Sequence, residues 1–152
     1  MRYAEAEKAL RDLAAAADPD RCRRFGADVV VRLTSDADLR DAAEFDLDED
    51  AQQAFAEACA DPANIDGVRL RALLHRIDAG VLSDGNMDPR LICALMALDH
   101  WDGYLNGDPG AIGDLAIMSV EEVDFRVPAN LDDFLATPEM AAEYARITTL
   151  LS

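Results

Sequence analysis

Apolar residues recur at three- and four-residue steps along almost the whole chain, the period of helices that bury one face. Tyr3, Ala6, Leu10, Leu13 and Ala14 make the first stripe, and Asp18-Pro19 ends it. Asp20 is placed to cap a second helix carrying Cys22, Phe25, Val29 and Leu33. The run 29-VVV-31 would suit a strand, but the steps around it are helical, so the expectation is helix. A short helix is expected over Asp36–Ala43, then a loop, then a helix over Glu49–Ala60 closed by 61-DPAN-64. The next helix should run from about Ile65 to Ala79. Val68, Leu70, Leu73, Leu74 and Ile77 face inward in it, with His75 half-buried among them. Gly80 stands just past its end, where a left-handed residue is wanted.

The stretch 80-GVLSDGNMD-88 reads as a turn-rich loop. Asp88-Pro89 then pairs an N-cap acid with a proline at the first helical position. The helix that follows, about Pro89 to Asn106, is the most apolar in the chain and places apolar residues on more than one face. It is expected to be the central helix. After the turn 106-NGDPG-110, a helix begins at Ala111, and 119-SVEE-122 has the form of a capping box that restarts or extends it to Arg126. A short helix is possible over Asn130–Ala136, and Thr137-Pro138 starts the last one. The pattern predicts an all-α, single-domain bundle over residues 1–152 with short connections.

Composition agrees with helix: alanine is abundant, and β-branched clusters are rare. Charge adds more. Against 14 basic residues stand 31 acidic ones, a net charge of −17. Such a surface repels nucleic acid and anionic membrane and attracts basic partners. Cys22, Cys59 and Cys93 are dispersed in apolar patterns without a CxxC, as buried reduced thiols are. The first seventeen residues are interspersed with charges and read as neither signal peptide nor membrane span, so a cytoplasmic location is expected.

Two stretches, 25-FGADVVVRLTSDADLRDAAEFDLDEDAQQAFAEACAD-61 and 91-LICALMALDHWDGYLNGDPGAIGDLAIMSVEEVDF-125, together with the closing 137-TPEMAAEYARITTLL-151, carry a family likeness. They resemble the YjaG-like bacterial helical family of unknown function. The resemblance implies an all-helical, single-domain fold and brings no catalytic residues with it. In general style the chain is also similar to small acidic immunity proteins, which neutralise toxins made by the same cell.

The candidate chemistry begins with 46-DLDEDAQQAFAE-57, whose acids Asp46, Asp48, Asp50 and Glu57 have the spacing of an EF-hand calcium loop. The sixth position, which that loop reserves for glycine, is Ala51, and AQQAFAEACA is a strong helix former. An acidic helix entry is therefore expected, with no metal and no cofactor. His100 with Asp99, Asp102 or Glu121 lacks the spacing of a metal or acid–base set. Ser83 and Ser119 have no nucleophile context, and Trp101 reads as core. Enzymatic activity is not expected.

One charge run stands apart. Asp36, Asp38, Asp41, Glu44, Asp46, Asp48, Glu49 and Asp50 crowd together with only Arg40 among them, and Phe45 is the aromatic residue in their midst. Packed like charges repel, and a basic partner would relieve that repulsion and be steered in quickly. The expectation is a binding surface for a basic protein, a toxin that itself acts on nucleic acid, with Phe45 either its anchor or a plug in the core. The alternatives are a helical housekeeping protein, as monomer or homo-oligomer, whose acidity serves solubility, and a docking site around the loop from Ser83 to Asp88.

Overall fold

The computed structural model describes residues 1–82 and 85–152, so Ser83 and Asp84 of the expected turn-rich loop lie outside the described residues. The fold is all-α. Its helices are α1 (Tyr3–Ala16), α2 (Pro19–Leu33), α3 (Leu39–Asp46), α4 (Glu49–Ala60), α5 (Gly67–Ala79), α6 (Pro89–Leu105), α7 (Ala111–Arg126) and α8 (Pro138–Leu151). The chain divides into two compact units, Met1–Gly26 with Pro109–Ser152, and Ala27–Asp108. The triple valine is helical, with Val29 and Val30 buried and Val31 exposed. Asp18, rather than Asp20, caps α2: the Arg21 N–H donates to its Oδ1 at 2.9 Å, and Pro19 takes the first helical position.

In the first unit α1 buries Ala6, Leu10 and Ala14 and packs with α7 and α8. Small residues let α7 be approached closely: a Cβ on Gly113 would lie 3.3 Å from Arg11 Cγ. Ten of its residues, from Ala111 to Val123, are buried, so α7 is enclosed on more sides than α6. Ser119 is no cap. It lies inside the continuous α7, fully buried, and its hydroxyl donates to Glu143 Oε1 of α8 at 2.6 Å. Arg146 holds both oxygens of that carboxylate, through Nη2 at 2.8 Å and Nε at 3.0 Å. No helix forms over residues 130–136. There the backbone turns to pair with the N-terminus, Tyr3 N–H donating to the Leu131 carbonyl and Phe134 N–H to that of Met1. Phe134 is buried edge-on against Tyr3.

The second unit is built on an α4–α5 pair, with α6 against α5 and α3 against both α4 and α6. α4 has the bounds its sequence predicts. α5 begins two residues later than expected, because Asp66 caps it by accepting from the Arg69 N–H. Leu70, Leu73, Leu74 and Ile77 form its buried stripe. Val68 and His75 fall off that stripe and are exposed, contrary to expectation. α6 buries Leu91, Ala94, Ala97, Leu98 and Trp101, while Ile92 and Met96 on its other side are exposed. Trp101 is core: its indole N–H donates to the Pro62 carbonyl at 2.9 Å and its ring stacks on Tyr104.

α3 starts later than predicted, because Asp36 and Asp38 are spent on a turn in which the Asp38 N–H donates to Asp36 Oδ1 at 2.8 Å. Its buried stripe is Leu39, Ala42, Ala43 and Asp46. Leu47 follows in extended conformation, wholly buried, and forms an antiparallel bridge with Val81. Burying Leu39 and Leu47 contributes on the order of 2 kcal/mol each, which anchors the short helix. Gly80 is not left-handed; its φ is −107°. It is needed for close approach instead, since a Cβ there would come within 2.4 Å of Asp48 Oδ1 and 2.5 Å of the Ala51 Cβ.

Candidate functional site

Because α3 buries positions 39, 42, 43 and 46, its outward face is Arg40, Asp41, Glu44 and Phe45. Phe45 is 82% exposed. An aromatic ring on a short helix, outside the buried stripe and among carboxylates, makes no use of its apolar surface within the fold. Leu82, 62% exposed, lies on the adjoining segment, its N–H donating to the Asp46 carbonyl at 2.9 Å. The Asp48 N–H donates to the Gly80 carbonyl at 2.8 Å and completes the bridge.

The predicted acids divide into two groups, seven on the surface and Asp46 beneath it. Asp36, Asp38, Asp41, Glu44, Asp48, Glu49 and Asp50 are exposed. Several hold partners within the unit. Arg90 Nη1 reaches Asp38 at 2.6 Å, and Arg76 grips both oxygens of Asp50, at 2.8 and 3.2 Å. Arg40 lies 3.5 Å from Glu44. The hydrogen bond from Arg76 holds Asp50 below the usual carboxylate range. Asp48 is the N-cap of α4, accepting from the Ala51 N–H at 2.8 Å.

Asp46 does not belong to the surface. It is 1% exposed, and its Oδ2 accepts the Asp88 N–H at 3.0 Å. Oδ1 has no hydrogen-bond partner among the described residues. Asp46 sits at the fourth place of the α3 stripe, which carries it inward whatever its polarity. It is therefore removed from the set of candidate contact residues. The four acids of the calcium-loop spacing accordingly point to four different tasks: Asp46 to Asp88, Asp48 to the α4 cap, Asp50 to Arg76, and Glu57 to Arg69. Helix α4 occupies most of that loop, and no group of three or more acids, histidines or cysteines among the described residues is arranged to hold a metal ion.

Sequence reasoning missed Leu82 and the arginines. An apolar pair, Val81 and Leu82, at the head of a turn-rich loop was the available signal for Leu82. Arg90 and Arg76 lie on other helices, and nothing local to residues 36–50 pointed to them. The remaining candidates lead elsewhere. Asp102 pairs with Arg71 at 3.2 Å and accepts from the Asn106 amide. Burial pushes the Cys59 thiol up to about 12, so it stays protonated and inert. Cys22 is buried with its sulfur against the Ala14 and Ala17 carbonyls. No helix among the described residues is long and apolar enough to cross a membrane.

The arrangement can therefore receive a cation beside an apolar anchor. No family model matches the chain, and neither a curated protein nor a solved structure matches it.

Proposed function

We propose that this chain is a non-enzymatic binding protein that docks a basic protein partner on the outward face of α3 and the adjoining start of α4. The specific form favoured is an immunity protein that neutralises a basic toxin. The observation that carries the reading is the exposure of Phe45 within the acidic run. Steering by carboxylates gives fast encounter but little affinity, and tight complexes need a desolvated apolar centre. Phe45 supplies that centre, and Asp41, Glu44, Asp48 and Glu49 supply the rim.

A second reading is favoured by the ion pairs of Asp38 with Arg90 and Asp50 with Arg76. In it the acids serve the fold and solubility, and the chain is a helical housekeeping protein. Co-expression with the basic product of an adjacent gene separates the two. The first reading expects a complex that Phe45→Glu loses while staying folded. Absence of a complex, or one that Phe45→Glu leaves unchanged, contradicts it.

A further inference from the structure

The α3 face has a chemistry more specific than negative charge. Asp41 precedes Phe45 by one helical turn on the exposed side, which places their Cβ atoms about 5–6 Å apart. Glu44 adjoins the ring in sequence on the same exposed side. A guanidinium is planar, stacks on an aromatic face and donates two parallel hydrogen bonds to a carboxylate. An ammonium is a compact, strongly hydrated charge that gains less from the ring.

The unit already binds arginine in this manner. Arg76 is held through Nε and Nη2 by both oxygens of Asp50, and Arg90 through Nε and Nη2 by both oxygens of Asp88. These pairs draw on acids outside α3, and the ring of Phe45 is left uncovered.

We infer that the partner's contact at this face is an arginine side chain, stacked on Phe45 and hydrogen-bonded to Asp41, and that the surface selects arginine over lysine. The inference rests on the proposed docking of a basic partner. Charge complementarity selects a cation, and the exposed ring selects which cation. Leu82, a second exposed apolar side chain, lies on the segment whose backbone N–H bonds to the Asp46 carbonyl.

The test uses two short synthetic peptides, Gly-Arg-Gly-Arg-Gly and the same sequence with lysine, titrated into the full chain and followed by amide chemical shifts. The expected result is that both move α3 resonances and that the arginine peptide binds roughly two- to fivefold tighter. Phe45→Ala and Phe45→Leu should both bring that ratio to about one, and the second keeps an apolar side chain without a π face. Equal binding of the two peptides by the wild type overturns the arginine inference and leaves docking of a basic partner standing. So does a preference that survives Phe45→Leu. If neither peptide moves α3 resonances, the docking reading itself fails.

Discussion

Asp46 and Asp88, forty-two residues apart in the chain, are joined by a 3.0 Å hydrogen bond from the backbone N–H of Asp88 to the buried Oδ2 of Asp46. Asp88 in turn caps α6, accepting the Arg90 N–H on Oδ1, and Arg90 reaches on to Asp38. The end of α3 and the start of α6 are thus tied through one carboxylate that solvent does not reach. Asp46→Ala would strand the Asp88 N–H and is expected to cost about 1–3 kcal/mol in urea denaturation. Asp46→Asn keeps an acceptor and should cost less. An alanine variant as stable as wild type would show that this bond contributes nothing.

Gly80 is the second point at which these segments meet. Its missing Cβ makes room for Asp48 and for Ala51, which is wholly buried and fixed in α4. Gly80→Ala is expected to destabilise by about 1–3 kcal/mol through overpacking. Gly80→Ala with unchanged stability would mean that the segments separate freely.

Acid titration should reveal two opposite effects. Asp50 and Asp88 lie below the ordinary carboxylate range because Arg76 and Arg90 hydrogen-bond to them. Their contribution is present above the unfolded-state value and is lost as pH falls through the folded one. Asp99 lies above that range, through desolvation and the nearby Asp78 and Asp102 carboxylates. The folded chain binds its proton more tightly, so ionised Asp99 costs stability at neutral pH, and this cost fades as pH falls through the folded value. Asp99→Asn should therefore raise Tm at pH 7, with the gain gone near pH 3, below an unfolded value of about 3.9. A lower Tm for the variant at pH 7 contradicts the assignment.

Helix α4 was legible because its N-cap acid, its alanine-rich body and its closing Asp-Pro all act locally. The same local signals misplaced other residues. Ser119 begins a capping-box pattern, but the preceding residues are already helical, and its hydroxyl is used across to Glu143. Gly80 follows a helix and so resembles a left-handed cap, yet the demand on it comes from Asp48, which is distant in sequence. Within the candidate site, exposure of Phe45 and burial of Asp46 follow from one fact, the stripe 39, 42, 43 and 46. The sequence left Phe45 as either anchor or core plug, and a helix expected to end at Ala43 put Asp46 in a loop; the helix in fact runs to Asp46 and its stripe decides both. Arg90 and Arg76 depend on tertiary packing and left no mark near the acids they hold.

On the proposed function, the α3 face, rather than overall charge, receives the basic partner. The most direct test is the association rate constant for the complex at two ionic strengths, compared among three proteins: wild type, Asp41→Lys/Glu44→Lys, and Asp132→Lys/Asp133→Lys. All four substituted residues are exposed, and both variants change net charge equally. The α3 variant should associate far more slowly at low salt and show a weaker salt dependence, while the other stays close to wild type. Equal slowing in both variants, or none in the α3 variant, would contradict docking on this face.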